Sequence, residues 1–157
     1  MLIKIFTLLL SISFASCSFL KPAAKYHVLR LKPKQDLLLE IKKYLKENNI
    51  QAASVISSVG SLTDVNLRFA NQKTYSKRKG FFEIVSLEGV LSFPHGSHLH
   101  MSVSDEKGKT QGGHLGNNNI VYTTVELILL ELPNRVFERE RCPLSGHKEL
   151  KCRAISL

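Results

Sequence analysis

Only one segment after residue 26 places its apolar residues at helical spacing. In QDLLLEIKKYLKENN (35–49), Leu37, Leu38, Ile41, Tyr44 and Leu45 fall on one side and Lys42, Lys43 and Lys46 on the other, the pattern of a helix with one face against a core. Asp36 suits the N-cap, and Asn48 and Asn49 mark the end. Most of the remainder reads at a period of two. YHVLRLK (26–32), DVNLRFA (64–70) and SHLHMSVSD (97–105) alternate, AASVISSVGSL (52–62) reads as a strand that bends, and FFEIVSLEGVLSF (81–93) is strand-rich, with Gly89 suited to a bulge. IVYTTVELILLELP (120–133) is a long β-branched run, NQKTYSKRKG (71–80) a basic turn, and a polar tail leads to a last short strand, LKCRAI (150–155). One helix and six or seven strands predict an α+β domain with a mostly antiparallel sheet. The 157 residues fit one such domain plus a short leader, and 43% apolar against 22% charged residues excludes a disordered chain.

The leader is MLIKIFTLLLSISFASC (1–17). Lys4 precedes an apolar run from Ile5 to Phe14, and small residues follow, the layout of a secretory signal. Two processing readings stand side by side. Ser13-Phe14-Ala15 offers small residues at the two positions a general signal peptidase reads, and FASC ending at Cys17 resembles a lipobox whose cysteine becomes the lipidated N-terminus. Either reading predicts an exported protein, periplasmic or extracellular, with membrane attachment only through lipid on Cys17. Removing residues 1–16 takes away Lys4 and no acid, so the formal charge falls by one, from +9 to +8. Export also puts Cys142 and Cys152, with nine residues between them, in an oxidising compartment, where they are either a disulfide or two free thiols.

Three of the six histidines fall within HGSHLH (95–100). Strand alternation puts Leu99, Met101 and Val103 on one face and His98, His100 and Ser102 on the other. Two imidazoles at i and i+2 lie roughly 7 Å apart and can address one ion. The turn at 105–108 sends the chain back antiparallel, and Gly112 and Gly113 allow the close approach that would bring His114 alongside. Three neutral imidazoles with an open position suit a divalent transition metal, zinc first. A solvated strand face carrying three unrelated histidines fits the same spacing. His95 reads as a loop residue, and His27 and His147 as surface or locally bonded residues. Glu126, alone in TTVELIL, is a candidate base or imidazole partner; the alternative is an acid facing solvent beside Thr124. Walker, GxSxG and Rossmann glycine patterns are absent.

Taken in order, GFFEIVSLEG, His-x-His, Asp-x-x-Gly, Gly-Gly-His and the final VE strand resemble the PPC domain (plants and prokaryotes conserved), over residues 25–155. The resemblance implies an α+β fold, a homotrimer, and, for prokaryotic-type members, metal held by the positions of His98, His100 and His114. A Phe stands where the plant-type GRFEI pattern has Arg, and no RGRP AT-hook occurs. Two functions remain. One is an exported, trimeric metal-binding protein, with hydrolase or lyase activity on an unknown small molecule. The other is a non-enzymatic module for DNA or another polyanion, drawn from the positive charge; export would keep it from nucleic acid.

Overall fold

The computed structural model describes residues 23–155, so the leader and Cys17 lie outside the described residues. The elements run β1 (Lys25–Leu31), α1 (Leu37–Glu47), β2 (Ala53–Arg68), β3 (Ser76–Leu91), β4 (His98–Asp105), β5 (Thr110–Leu115), β6 (Ile120–Glu131), β7 (Arg135–Arg141) and β8 (Lys148–Ala154). The first six strands make one sheet in the order β1-β6-β2-β3-β4-β5, with every neighbouring pair antiparallel. At one end β5 also reaches back to β2, where Leu67 pairs with Leu115 and Arg68 with His114. Strands β2 to β5 therefore close on themselves. Strands β7 and β8 form a separate antiparallel hairpin. This is the α+β architecture with a mostly antiparallel sheet that the alternation predicts.

The helix is where its period puts it. Asp36 caps it, accepting from the Leu38 and Leu39 amides at 3.0 and 3.1 Å. Leu37, Leu38, Ile41 and Leu45 are buried, worth on the order of 8 kcal/mol of gross hydrophobic stabilisation. They belong to one continuous core with Leu62 and Val65 of β2 and Val125 and Leu127 of β6. The loop GNNN (116–119) anchors the helix start. Leu37 donates to the Asn119 carbonyl at 2.9 Å, and Asp36 accepts from the Asn118 amide. The Asn119 side chain, fully buried, accepts from the Asn66 amide at 2.8 Å and donates to the Gly116 carbonyl at 2.7 Å. Asn119→Ala would strand both backbone groups, and a loss of about 2–4 kcal/mol is expected in denaturant unfolding; a change under 0.5 kcal/mol would rule this lock out.

Several sequence expectations need correction. The stretches 52–62 and 64–70 belong to one strand, β2, which bends through register shifts instead of breaking. Lys77, Arg78 and Lys79 lie in β3, not in a turn, opposite Asn66, Val65 and Asp64. Val65 and Leu67 of β2 are buried there, whereas Lys77 to Phe81 of β3 are all exposed, so this part of β3 carries no apolar alternation. The β3–β4 register shift falls between Ile84 and Ser86, whereas Gly89 stays in register opposite Leu99. The polar tail RVFERER is itself a strand, β7. Of the two readings left open for Cys142 and Cys152, the structure shows the free thiols. Cys142 donates its amide to the His147 carbonyl at the hairpin tip, while Cys152 pairs with Phe137. Five ladder rows, roughly 17 Å, separate them, far beyond disulfide reach.

Candidate metal centre

Strand β4 buries Leu99, Met101 and Val103 and turns His98 and His100 outward, as alternation predicts. Strand β5 pairs His114 directly opposite His100. The approach depends on Gly113. A Cβ there would lie 2.6 Å from the Arg68 carbonyl oxygen, so any side chain would push β5 off β2. The two-glycine signal thus has its physical cause in the closure of the sheet.

The three imidazoles converge. His98 and His114 stack, with centroids 5.2 Å apart, and His100 stands edge-on to both, at 4.9 and 4.4 Å. The His98–His100 pair is closer than the roughly 7 Å of an ideal strand, because both rings lean over the sheet toward His114. One nitrogen from each ring lies within 4.8 Å of the others. His100 Nε2 and His114 Nδ1 are 3.0 Å apart in a hydrogen bond. That is near the ~3.3 Å edge of a tetrahedral zinc site with nitrogens at about 2.0–2.1 Å. The donor set therefore fits a divalent transition metal.

The surroundings of His98 and His114 favour the neutral imidazole, the form that ligates. Desolvation, then the neighbouring His100 and Arg139, holds His98 below its usual range, with Glu149 opposing. Desolvation first, then Arg68, His100 and His98, does the same for His114.

The remaining candidates lie elsewhere. Glu126 is exposed on the outer face of the sheet, between Arg30 of β1 and Val59 of β2. Val59 is nine residues along β2 from Arg68, roughly 30 Å of strand, so Glu126 meets none of the three rings. His95 is exposed in the loop before β4. His27 has partners that sequence reading did not find. Its Nε2 meets Glu131 Oε2 at 2.8 Å and its Nδ1 meets the Tyr44 hydroxyl at 3.0 Å, tying β1 to α1 and β6. His147 is exposed in the β7–β8 turn. Sequence reading also missed Arg68 and Arg139, whose charges act on the imidazoles. Arg68 arrives by the β2–β5 closure and Arg139 lies on the terminal hairpin, and neither placement leaves a local trace in sequence.

Several known proteins resemble this chain. A hypothetical protein of Salmonella enterica is 39% identical and superposes with a TM-score of 0.82, covering 84% of this chain and 95% of that one. A metal-containing protein of Archaeoglobus fulgidus is 28% identical, with a TM-score of 0.69, covering 81% of this chain and 93% of that one. The bifunctional protein GlmU of a Synechococcus strain is 39% identical over 132 residues, which is 84% of this chain. The chain spans only about a fifth, 21%, of that curated relative's length. The model of the Plants and Prokaryotes Conserved (PCC) domain matches residues 21–133. With that match and the Salmonella likeness together, the chain belongs to the Plants and Prokaryotes Conserved domain family, the PPC domain of the sequence resemblance.

Proposed function

We propose that this chain is an exported, homotrimeric metal-binding PPC protein that holds a divalent ion, zinc first, on His98, His100 and His114. The observation that carries the reading is the convergence of three imidazole nitrogens within 4.8 Å on two adjacent strands. The metal-containing Archaeoglobus relative supports it. When bound, such an ion supplies Lewis-acid polarisation of a carbonyl or phosphoryl oxygen, the basis for a hydrolase or lyase. The chain's own part is to present three neutral imidazoles on a rigid ladder and leave one side of the cluster open.

Support for assembly comes from the outer face of the sheet, where Tyr26, Val28, Ile56 and Val59 are 72%, 77%, 53% and 57% exposed, beside Ile128. A monomer leaves that apolar surface in water; further copies of the chain would cover it. Export rests on the leader, residues 1–17, with lipid on Cys17 as its anchored form.

One preparation tests all three parts. Elemental analysis should find about one metal ion per chain, and none in a His98→Ala, His100→Ala, His114→Ala triple variant; equal content in both would sink the metal site. Sedimentation should give three chains per particle, and a monomer would refute the assembly. Intact mass should lack the leader, and a full-length mass after expression with export machinery would refute export.

A further inference from the structure

The face of β4 that carries the histidines continues across its neighbours. Glu88 of β3 stands opposite His100, His100 opposite His114 of β5, and His114 opposite Arg68 of β2. Residues paired directly across an antiparallel ladder share a face, with Cβ atoms roughly 4.5–5.5 Å apart. On this face the pairing brings side-chain tips together. Two residues along from Glu88 and His100, the Ser86 and Ser102 hydroxyls are hydrogen-bonded at 2.7 Å. On the β5 side, His100 Nε2 meets His114 Nδ1 at 3.0 Å. Gly89, next to Glu88, has no Cβ to hold β3 off β4; one there would lie 2.0 Å from the His98 carbonyl oxygen. The ladder partners of the histidines on β3 and β2 are Val90, Glu88 and Arg68, so Glu88 is the acid of the set. It is exposed, and among the described residues it pairs with no cation.

The His100 ring has a use for that carboxylate. Its Nε2 is turned to His114 and the centre of the cluster, which leaves Nδ1, the ring nitrogen nearer its own Cβ. A neutral imidazole that gives one nitrogen to an ion carries its proton on the other, and that proton needs an acceptor. An ionised glutamate accepts and does not donate. A bond from Nδ1–H to Glu88 would therefore keep the proton on Nδ1 and leave the Nε2 lone pair for the ion. It would also set a negative charge beside the ligand, which makes the imidazole more basic. Val90 can do neither for His98, and the Arg68 guanidinium has no acceptor to offer.

We propose that Glu88 is the positioning residue of the histidine cluster: its carboxylate accepts the Nδ1 proton of His100 and fixes that ring in the tautomer that binds an ion through Nε2. The inference rests on the three-histidine metal reading for its setting. The sequence offers Glu126 as an imidazole partner, and the ladder register gives that place to Glu88 on β3.

The test has two arms, both on the full chain. In the first, zinc affinity is measured by competition with a chromophoric chelator. Glu88→Ala is expected to weaken it about ten- to a hundredfold. Glu88→Gln, whose amide oxygen can still accept from Nδ1, should recover part of that loss. Glu83→Ala removes the same charge from the same strand, opposite Ser104 and four residues along β4 from His100, and should change affinity less than about twofold. A Glu88→Ala chain that binds as the parent does, or a Glu83→Ala chain that loses as much, overturns the assignment. In the second arm, long-range proton–nitrogen NMR spectra of the metal-free chain at about pH 8, above the imidazole range, report which nitrogen of His100 holds the proton. It is expected on Nδ1 in the parent and in Glu88→Gln, and to move toward Nε2 in Glu88→Ala. A parent with the proton on Nε2 overturns the role of Glu88 whether or not zinc binds. A parent that takes no zinc, yet holds the Nδ1 proton only while Glu88 is present, refutes the metal reading and leaves the Glu88–His100 bond standing.

Discussion

Gly89→Ala is expected to cost about 2–6 kcal/mol of stability and to weaken metal binding at the same time. Gly89 has φ +134°, a conformation open to glycine and strained for alanine. Its added Cβ would also lie 2.0 Å from the His98 carbonyl oxygen. The backbone strain is worth about 1–3 kcal/mol and the forced separation another 1–3. Out of a total stability of roughly 5–15 kcal/mol for a domain, this is a large share. The strain is relieved only by moving β4 off β3 at Leu99 and His98, so the first metal-site residue moves with it. Thermal unfolding and metal affinity measured on the same variant check this. Gly108→Ala is the comparison. It sits in the β4–β5 turn at φ +75°, with nothing within 4 Å of its Cβ, and should cost about 1–2 kcal/mol without touching metal affinity. A Gly89→Ala protein that melts with the parent and holds metal equally well would refute the coupling.

Acidification should empty the site. Ligation needs neutral imidazole, so protons compete with the ion once the pH falls through the imidazole range. His98 and His114 hold protons less readily than the usual value of 6.5. Their competition therefore begins below that value, and affinity should change little between about pH 8 and 7. Well below it, where all three rings are protonated in the free protein, each pH unit should weaken binding by up to about a thousandfold, tenfold for each proton displaced. Competition against a chromophoric chelator from about pH 7.5 to 5 measures it. Affinity that is flat over that span would remove the imidazoles from the ligand set. The metal-free protein responds with the same sign. Because these two pKa values are lower in the folded state, the unfolded chain takes up protons first as the pH drops below 6.5. Stability is lost in that window until the folded-state values are passed.

What could be read beforehand follows from how local the cause is. Asp36, the α1 stripe and the alternation about Leu99, Met101 and Val103 are set by neighbours within a few residues, and each stands where the pattern places it. The pairing of His100 with His114 was also legible, because a four-residue turn and two glycines leave few alternatives. Legibility failed where most side chains of a strand stretch stand in water or are only partly covered. Lys77 to Lys79 and the RVFERER strand carry no apolar rhythm, and hydrogen bonding along a ribbon needs none. It failed again for contacts over long sequence distance. His27 with Glu131 spans 104 residues, and the approach of Arg139 to His98 depends on a hairpin anchored at Gln51. The placement of Glu126 was decided by the same rule that placed the histidines: on β6 the residues beside it, Val125 and Leu127, took the core side.

The seam between β2 and β5 has a dynamic consequence. Strand β5 is the shortest of the main sheet, six residues, and holds β2 through only two residue pairs. Edges of this kind open locally at far lower free energy than the core. An ion on His98 and His100 of β4 and His114 of β5 would have to leave before β5 could peel from β4, its other neighbour. Its binding free energy is added to the opening of that edge alone, while β1, at the far end of the sheet, opens as before. Loaded and empty molecules would then share one fold and differ in how long the β4–β5 seam stays fastened.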